Sequence, residues 1–361
     1  MVYKVIGLMS GSSLDGLDIV YTHLEEVRGV WSYNVIHAEC IPYTDKWIYD
    51  LHHAQNLSVS SFLKLNTHYG KYLGEQINAF ILKHNLEHTV HFICSHGHTV
   101  FHDTANNTTC QIGDGATIAA ITGITVINDL RAMDVALGGQ GAPIVPIGDK
   151  LLFGSYDYWL NIGGIANITI KNNGNYLAFD VCPANQILNI LAEREGKVMD
   201  ENGYMAASGN LLVEILDELN TDAYYKQSPP KSLSNDAAKE MIFPKLMQSN
   251  YATADLLHTV GVHIAEQIGK AVTQYPAGKE LSSILVTGGG AFNSFLVENI
   301  KKILTMHPIN VVVPDAVTVK YKEAIVMALI GTLRWRGELN VLNTVTGASR
   351  SSVGGAIWLG N

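Results

Sequence analysis

Three runs of alternating β-branched, aromatic and polar positions open the chain, Tyr3–Leu8, Leu17–Leu24 and Tyr33–Ile41, with turn-forming residues between them. This pattern predicts an antiparallel meander. Between Phe62 and Leu82 the period changes: Leu65, Tyr69, Tyr72, Leu73, Ile77, Phe80 and Ile81 recur at spacings of three and four, the signature of an amphipathic helix. Strands are expected at Val90–Ser95 and Thr125–Asp129. A second cycle begins near Tyr158, where Trp159–Ile162, the turn Gly163-Gly164 and Ala166–Ile170 read as a hairpin followed by a strand at Tyr176–Asp180. Its helix is expected over Ala254–Val272, with Leu256, Leu257, Val260, Ile264, Ile268 and Val272 on one face, and short buried strands at Ile284–Thr287 and Val311–Pro314. Leu233–Asn235 and Tyr275–Glu280 read as surface connections.

Element order therefore repeats although the residues do not. The expected architecture is α/β, a mixed sheet with helices in each of two lobes and ligands in the interlobe cleft. The lobes are expected at 1–130 plus 345–361 and at 131–344.

Composition narrows the function. The 361 residues are 47% hydrophobic and 16% charged, as in a well-packed globular protein. A net charge of −9, with no basic cluster larger than Lys301-Lys302 or Arg334/Arg336, argues against nucleic acid as a partner. The four cysteines form no CxxC pair, the amino terminus passes straight into a strand, and no apolar run is long enough to span a bilayer. A cytoplasmic setting without membrane insertion is the expectation, which leaves room for a homodimer.

Five segments carry candidate chemistry. In Ile6–Asp18, glycines and hydroxyls suit a backbone turn around a polyphosphate: Gly11 and Gly16 allow close approach, Ser12 and Ser13 add donors, and Asp15 or Asp18 could orient a hydrated cation. An ordinary Gly/Ser hairpin explains the same residues. Val286–Asn293, with Gly288-Gly289-Gly290, follows a strand and precedes a helix, permitting approach of a flat ring or phosphate, though a crowded turn has the same sequence. In Phe179–Asn185 a carboxylate, Asp180, is expected exposed at a strand end, where it could be a general base or merely cap the next turn. Arg131 can clamp a carboxylate or phosphate, or pair with Asp134 on the surface. Cys94, His96, His98 and His102 offer metal-ligand types, but no second cluster completes a zinc pattern, so they read as lining a polar pocket. P-loop and protein-kinase motifs are absent.

Taken in order, Gly11–Gly16, Ser95-His96-Gly97, Gln111–Asp114, Asp129–Asp134, Gly138–Pro143, Asn161–Asn167, Phe179–Asn185, Pro229–Ser232, Gly288–Asn293 and Val345–Arg350 resemble the anhydro-N-acetylmuramic acid kinase family. The resemblance runs nearly end to end. It implies an actin-like/sugar-kinase fold using ATP and Mg²⁺, and a reaction that opens the 1,6-anhydro bridge while phosphorylating O6, yielding N-acetylmuramic acid 6-phosphate in cell-wall recycling. It assigns Asp180 as the catalytic base. ATP would be held by Gly11, Ser12, Ser13, Leu14, Asp15, Gly16, Leu17 and Asp18, together with Gly163, Gly164, Gly288, Gly289, Gly290 and Asn293. Asp15 and Asp18 would hold Mg²⁺. Arg131, His98, Asn185 and Glu323 are the residues assigned to the sugar, Glu323 having an exposed helical position as its alternative. The chain departs from the family where Val181, Cys182 and Ala184 replace a hydroxyl residue and two glycines, where His98 replaces a usual Gln, and where no Arg-Glu pair follows Ser232. Two competing readings follow from those departures: a kinase for a different amino sugar, or a non-catalytic actin-like module that binds nucleotide or sugar.

Overall fold

The computed structural model describes every residue except Ser12, Asn173, Gly174, Pro230, 247–249, Gly278, Glu280 and Asn361. Two compact units emerge, Met1–Gly154 with Tyr321–Asn361, and Ser155–Lys320. These boundaries correct the expected ones at 130/131 and 344/345. Packing explains the shift: Asp134 is bonded to Thr346, and the bare backbone of Gly148 sits where a Cβ would come 2.2 Å from Val326. Residues 131–154 are thereby tied to the first unit, as is the returning chain from Tyr321.

The first unit holds β1 (Val2–Ser10), β2 (Leu17–Val27), β3 (Val30–Ile41), β4 (Phe92–Ser95), the hairpin β5 (His98–Asp103) and β6 (Thr108–Ile112), and β7 (Val126–Asn128). The second holds β8 (Tyr158–Ile162), β9 (Ile165–Asn172), β10 (Asn175–Pro183), β11 (Ser282–Thr287) and β12 (Ile309–Val312), and β13 (Ala356–Trp358) returns to the first. The large sheet of the first unit has the order β13-β7-β4-β1-β2-β3, and that of the second β10-β9-β8-β11-β12. In each, an antiparallel meander is followed by a strand parallel to its first member and then by one more parallel strand. This duplicated order is that of the actin-like/sugar-kinase fold, a mixed α/β architecture.

β1 is apolar on both faces because both are covered. Ile6 and Leu8 join the core beneath the helix Val59–Lys83, which the three-four spacing predicts within a few residues. On the helix Ala316–Arg336, the carbonyl of Ala324 comes so close to Gly7 that a Cβ there would lie 2.1 Å from it. A side chain at position 7 would push away the turn that carries Glu323. In the second unit, β8–β11 and the helix Thr253–Gln274 bury a core that includes Leu160, Ile168, Val260, Ile264 and Val286. The amino-terminal meander, the hairpin at Gly163-Gly164 and the helix over 254–272 agree with the pattern of the sequence.

Two local readings need correction. β10 continues past Asp180 to Pro183, so the carboxylate stands at a bulge within the strand rather than at its end. β12 ends at Val312, two residues early. The strand expected to end at Ser95 does end there, and Gly97 turns the chain at φ +70° into β5. Among the described residues no helix is long and apolar enough to cross a membrane.

Candidate active site

In the first unit the chemistry gathers where β1 and β2 meet. Their pairing ends at Met9 with Asp18 and Ser10 with Leu17, leaving the intervening residues as a turn. Ser13 and Asp15 are exposed, and the Ser13 hydroxyl donates to Asp15 Oδ1 at 2.8 Å. Leu14 adopts φ +57° and packs its side chain on the core. Gly16 and Leu17 correct the sequence reading. Leu17 is core, and Gly16 is buried where a Cβ would lie 2.7 Å from Cys40 Sγ, so both shape the turn without facing a ligand. Ser12 lies outside the described residues.

Asp18 is half-buried, and burial raises its carboxyl to about 7; a hydrogen bond with Cys40 opposes the shift, while Asp15 and Glu323 reinforce it. Glu323 is likewise raised, first by burial, with Lys322 and Arg131 pulling it down and Asp15 pushing it up. It is therefore not an exposed helix residue. Asp15 acts on both of these carboxyls and Glu323 on Asp18, and carboxylates gathered in this way make a place where a cation is favoured. Among the described residues no three His, Cys, Asp or Glu side chains converge as a metal cage. Mg²⁺ seldom uses one: it takes one or two carboxylates and completes its shell with water and phosphate. Asp15 and Asp18 fit that mode.

Arg131 sits in a knot tied by four of the sequence motifs. Its Nε–H donates to His96 Nε2 at 2.9 Å and its Nη1 to the Gly141 carbonyl at 2.6 Å. His96 can accept because its Nδ1 donates to the Gly97 carbonyl, and burial, aided by Arg131, lowers it to about 3, keeping it neutral. Asp134, fully buried, accepts from Gly141 N–H and from Thr346 Oγ. Gly139 leaves room for that carboxylate, since a Cβ would come 2.3 Å from Asp134 Oδ2. The surface Arg131/Asp134 pair is thus replaced by a buried arrangement. Arg131 has no carboxylate at ion-pair distance among the described residues, and its Nη2 has no protein partner there. Burial lowers the guanidinium to about 10, while Glu323 and Asp134 support its charge.

The remaining histidines separate. His98, 5% exposed, places Nδ1 3.0 Å from the Ser10 hydroxyl, which also receives a hydrogen bond from Tyr43. Burial lowers it to about 4. Enclosed in this way, His98 braces the end of β1 instead of lining an open sugar pocket. His102 faces Thr109, and Cys94 is packed against Gly331. The four residues have four different environments, which rules out their forming one zinc site.

In the second unit a glycine cradle forms around Asn185. Its amide donates to the Ile162 carbonyl at 3.0 Å, and its backbone N–H to the Gly163 carbonyl at 3.0 Å. Gly289 and Gly290 lie against the same carboxamide, where added Cβ atoms would come within 3.4 and 3.1 Å. Gly288, at φ +81°, passes where a Cβ would meet Asn161 Oδ1 at 2.6 Å. Gly164 and Gly289 stay exposed, presenting bare backbone. Asn185 therefore joins the two glycine turns, a position closer to the nucleotide residues than its assignment to sugar suggests. Asn293 caps the helix Ser294–Leu304 by accepting from Leu296 N–H, and packs on Gly203; its side chain is occupied in shaping the cradle.

Asp180 pairs across the sheet with Asn167. Its Oδ2 accepts from Leu233 N–H at 2.8 Å, its own N–H donates to the Lys231 carbonyl at 3.1 Å, and its carbonyl accepts from Tyr224 Oη at 2.7 Å. Its Oδ1 has no partner among the described residues. Burial raises the carboxyl and the Leu233 N–H lowers it, the raising effect being larger. The segment 231–233 thus holds the candidate base through backbone groups, a role that its side-chain pattern does not advertise.

Known proteins resemble the chain over nearly its whole length. A sequence model described as anhydro-N-acetylmuramic acid kinase matches residues 3–360. The anhydro-N-acetylmuramic acid kinase of Francisella tularensis subsp. novicida is 32% identical over 98% of this chain and 97% of its own length. That of Legionella pneumophila strain Corby is 30% identical over the same shares. Among solved structures, component A of (R)-2-hydroxyglutaryl-CoA dehydratase from Acidaminococcus fermentans is similar over 91% of this chain and 96% of its own, at 11% identity and a TM-score of 0.47. Matched over almost its whole length, the chain belongs to the anhydro-N-acetylmuramic acid kinase family.

Proposed function

We propose that the protein is an ATP-dependent kinase that hydrolyses the 1,6-anhydro bridge of anhydro-N-acetylmuramic acid and phosphorylates O6. The observation that carries this reading is the half-buried guanidinium of Arg131, fixed by His96 and Gly141 yet without a carboxylate partner among the described residues. A partly desolvated cation in that condition is stabilised by an anionic ligand with matching geometry. The lactyl carboxylate of the sugar is such a ligand, and a neutral sugar is not. Glu323, in the field of the same arginine, would meet sugar hydroxyls.

The chemistry follows from Asp180. Its free Oδ1 takes a proton from water as the water oxygen bonds to the anomeric carbon, and the bond from that carbon to O6 breaks. The oxygen so released attacks the γ-phosphorus of ATP, ADP leaves, and N-acetylmuramic acid 6-phosphate results. A carboxyl raised by burial is the stronger base for this step. Backbone groups of Gly11 and the hydroxyl of Ser13 serve the phosphates, and the Gly163-Gly164 and Gly288–Gly290 turns serve the rest of the nucleotide. Asp15 and Asp18 would hold Mg²⁺, whose bound charge offsets that of the phosphates. ATP and the sugar are the expected partners, in the cytoplasm.

The test is to incubate protein, ATP, Mg²⁺ and the anhydro sugar and weigh the product. A product heavier by both a phosphoryl group and water is expected. A phosphosugar without the added water would replace this reaction with ordinary phosphorylation, and ATP binding with no phosphosugar would indicate a binding module.

A further inference from the structure

The second unit contains a cavity of about 440 Å³ beside β10, lined by Phe179 and Val181 but not by Asp180, the residue between them. Alternation along the strand directs the candidate base away from this space. Its rim carries Lys226, Lys231 and Lys270, and among the described residues no Asp or Glu lines it. None of the three lysines has a carboxylate at ion-pair distance among the described residues. Lys231 instead lies over the Tyr224 ring, its nitrogen 4.5 Å from the centroid, and donates to the Tyr224 carbonyl at 3.2 Å.

The wall is built rather than incidental. Gln267, 4% exposed, donates to Asn220 Oδ1, which also receives a hydrogen bond from Lys270 Nζ. Behind them His263, 1% exposed, links Asn220 to Tyr225. Phe179 and Tyr275 meet edge to face with centroids 5.7 Å apart, supplying an apolar surface at one side. Three ammonium groups without a carboxylate partner among the described residues suit a dianionic phosphate, while amides and an aromatic edge in a cavity of this size suit a sugar ring.

We propose that this cavity binds a small sugar phosphate, and that its occupancy is felt by Asp180. The link is short: Lys231 lines the cavity, its carbonyl receives the Asp180 N–H, and two residues on Leu233 holds the Asp180 carboxylate. A ligand that draws the Lys231 side chain toward its phosphate moves the segment that positions the base.

Glucose 6-phosphate is a suitable probe, titrated calorimetrically into the full chain with the anhydro sugar, ADP and Mg²⁺ present in excess so that the catalytic residues are already engaged. One-to-one binding is expected, weakened about tenfold in Lys226→Ala and in Lys270→Ala, as for the loss of one charge-assisted contact. Both lysines are exposed, so their removal leaves the fold intact. No saturable binding, binding undiminished in both variants, or inorganic phosphate binding as tightly as the sugar phosphate would each overturn the proposed site. This binding arm does not depend on the reaction assigned above. In a second arm, the rate of anhydro-sugar phosphorylation is expected to change with probe concentration in the unmodified protein and not in Lys270→Ala. A constant rate at saturation would overturn the coupling to Asp180.

Discussion

The two units use one strand order and place their carboxylates on different strands. In the first, the β1–β2 hairpin pairs Met9 with Asp18, and Asp18 in turn pairs with Cys40 on β3. In the second, the corresponding β8–β9 hairpin pairs Asn161 with Asn167, and Asn167 pairs with Asp180 on β10. The acid thus sits on the second strand in one unit and on the third in the other, with a neutral residue in the matching place. The turns differ to match. The first is long, acidic and hydroxylated; the second is Gly163-Gly164 alone. A duplicated frame has been divided by charge: one hairpin holds carboxylates suited to a cation and phosphates, and the other is left neutral and bare, with its acid displaced by one strand.

The sharpest way to break this division is Asp180→Asn. If the third-strand acid is the base, turnover falls roughly 10²–10⁴-fold, as for removal of a general base, while the KM for ATP hardly moves. Retention of full turnover would end the assignment. The unmodified protein adds a pH test. Because Asp180 must be ionised and burial raises its carboxyl, the rate should drop as pH falls through a range above the ordinary carboxylate one.

Next in size is Arg131→Lys. Lysine keeps the charge but cannot donate to His96 and Gly141 while offering a further planar donor, so the KM for the anhydro sugar is expected to rise about 10- to 100-fold. With an analogue lacking the lactyl carboxylate, parent and variant should perform alike. A penalty that persists with the analogue would mean that Arg131 acts on something other than that group.

The division by charge was visible in the sequence only in part. The meanders, their turns and the amphipathic helices were legible because half-buried elements alternate or repeat at fixed periods. The helix Ala316–Arg336 was not: Ala324–Ile330 is buried all round, which erases the polar face that gives a helix its period. That helix brings Glu323 to Asp18, so the acidic cluster has no counterpart in the sequence pattern although Glu323 itself is a candidate there. The Arg131 knot was legible as motifs but not as a knot, because His96, Asp134, Gly141 and Thr346 meet only through tertiary packing. The backbone hold of 231–233 on Asp180 leaves no side-chain signature at all. His98 looked like a pocket residue because its type is polar; that it turns into the core to meet Ser10 depends on Gly97, whose positive φ no periodicity encodes.

Asp18→Asn probes the acid on the second strand. The requirement for Mg²⁺ should rise about tenfold, since one of two carboxylates available to the ion loses its charge. Stability supplies an independent readout. With its carboxyl at about 7 in the folded chain against 3.8 otherwise, Asp18 keeps a proton that the unfolded chain has released. In the absence of Mg²⁺ it therefore erodes stability as pH rises from about 4 to about 7, and Asn at this position should flatten that slope in denaturant titrations. A slope unchanged by the substitution would show that Asp18 is not the group responsible.

Gly288→Ala tests whether the neutral cradle depends on bare backbone. At φ +81°, with Asn161 Oδ1 2.6 Å from the new Cβ, the alanine costs about 1–3 kcal/mol, and the KM for ATP rises while turnover at saturation changes little. Alanine tolerated without either effect would remove the close approach from the account.

The smallest effect is expected from His98→Gln, and its smallness is informative. His98 is neutral over the physiological range because burial lowers it to about 4, so the exchange removes no charge. What it changes is one hydrogen bond to Ser10, at the end of β1 just before the β1–β2 turn, and a glutamine amide can supply a similar donor or acceptor. A loss of stability below about 1 kcal/mol and sugar kinetics within a factor of about three are expected, because a bracing residue acts through Ser10 whatever the substrate. A change in preference among sugars, measured as the ratio of kcat/KM for the anhydro sugar to that for a reducing amino sugar, would place His98 against substrate. It would then have to reach that substrate from inside the core of the first unit, and the contrast between an outward acidic turn and its buried support would fail.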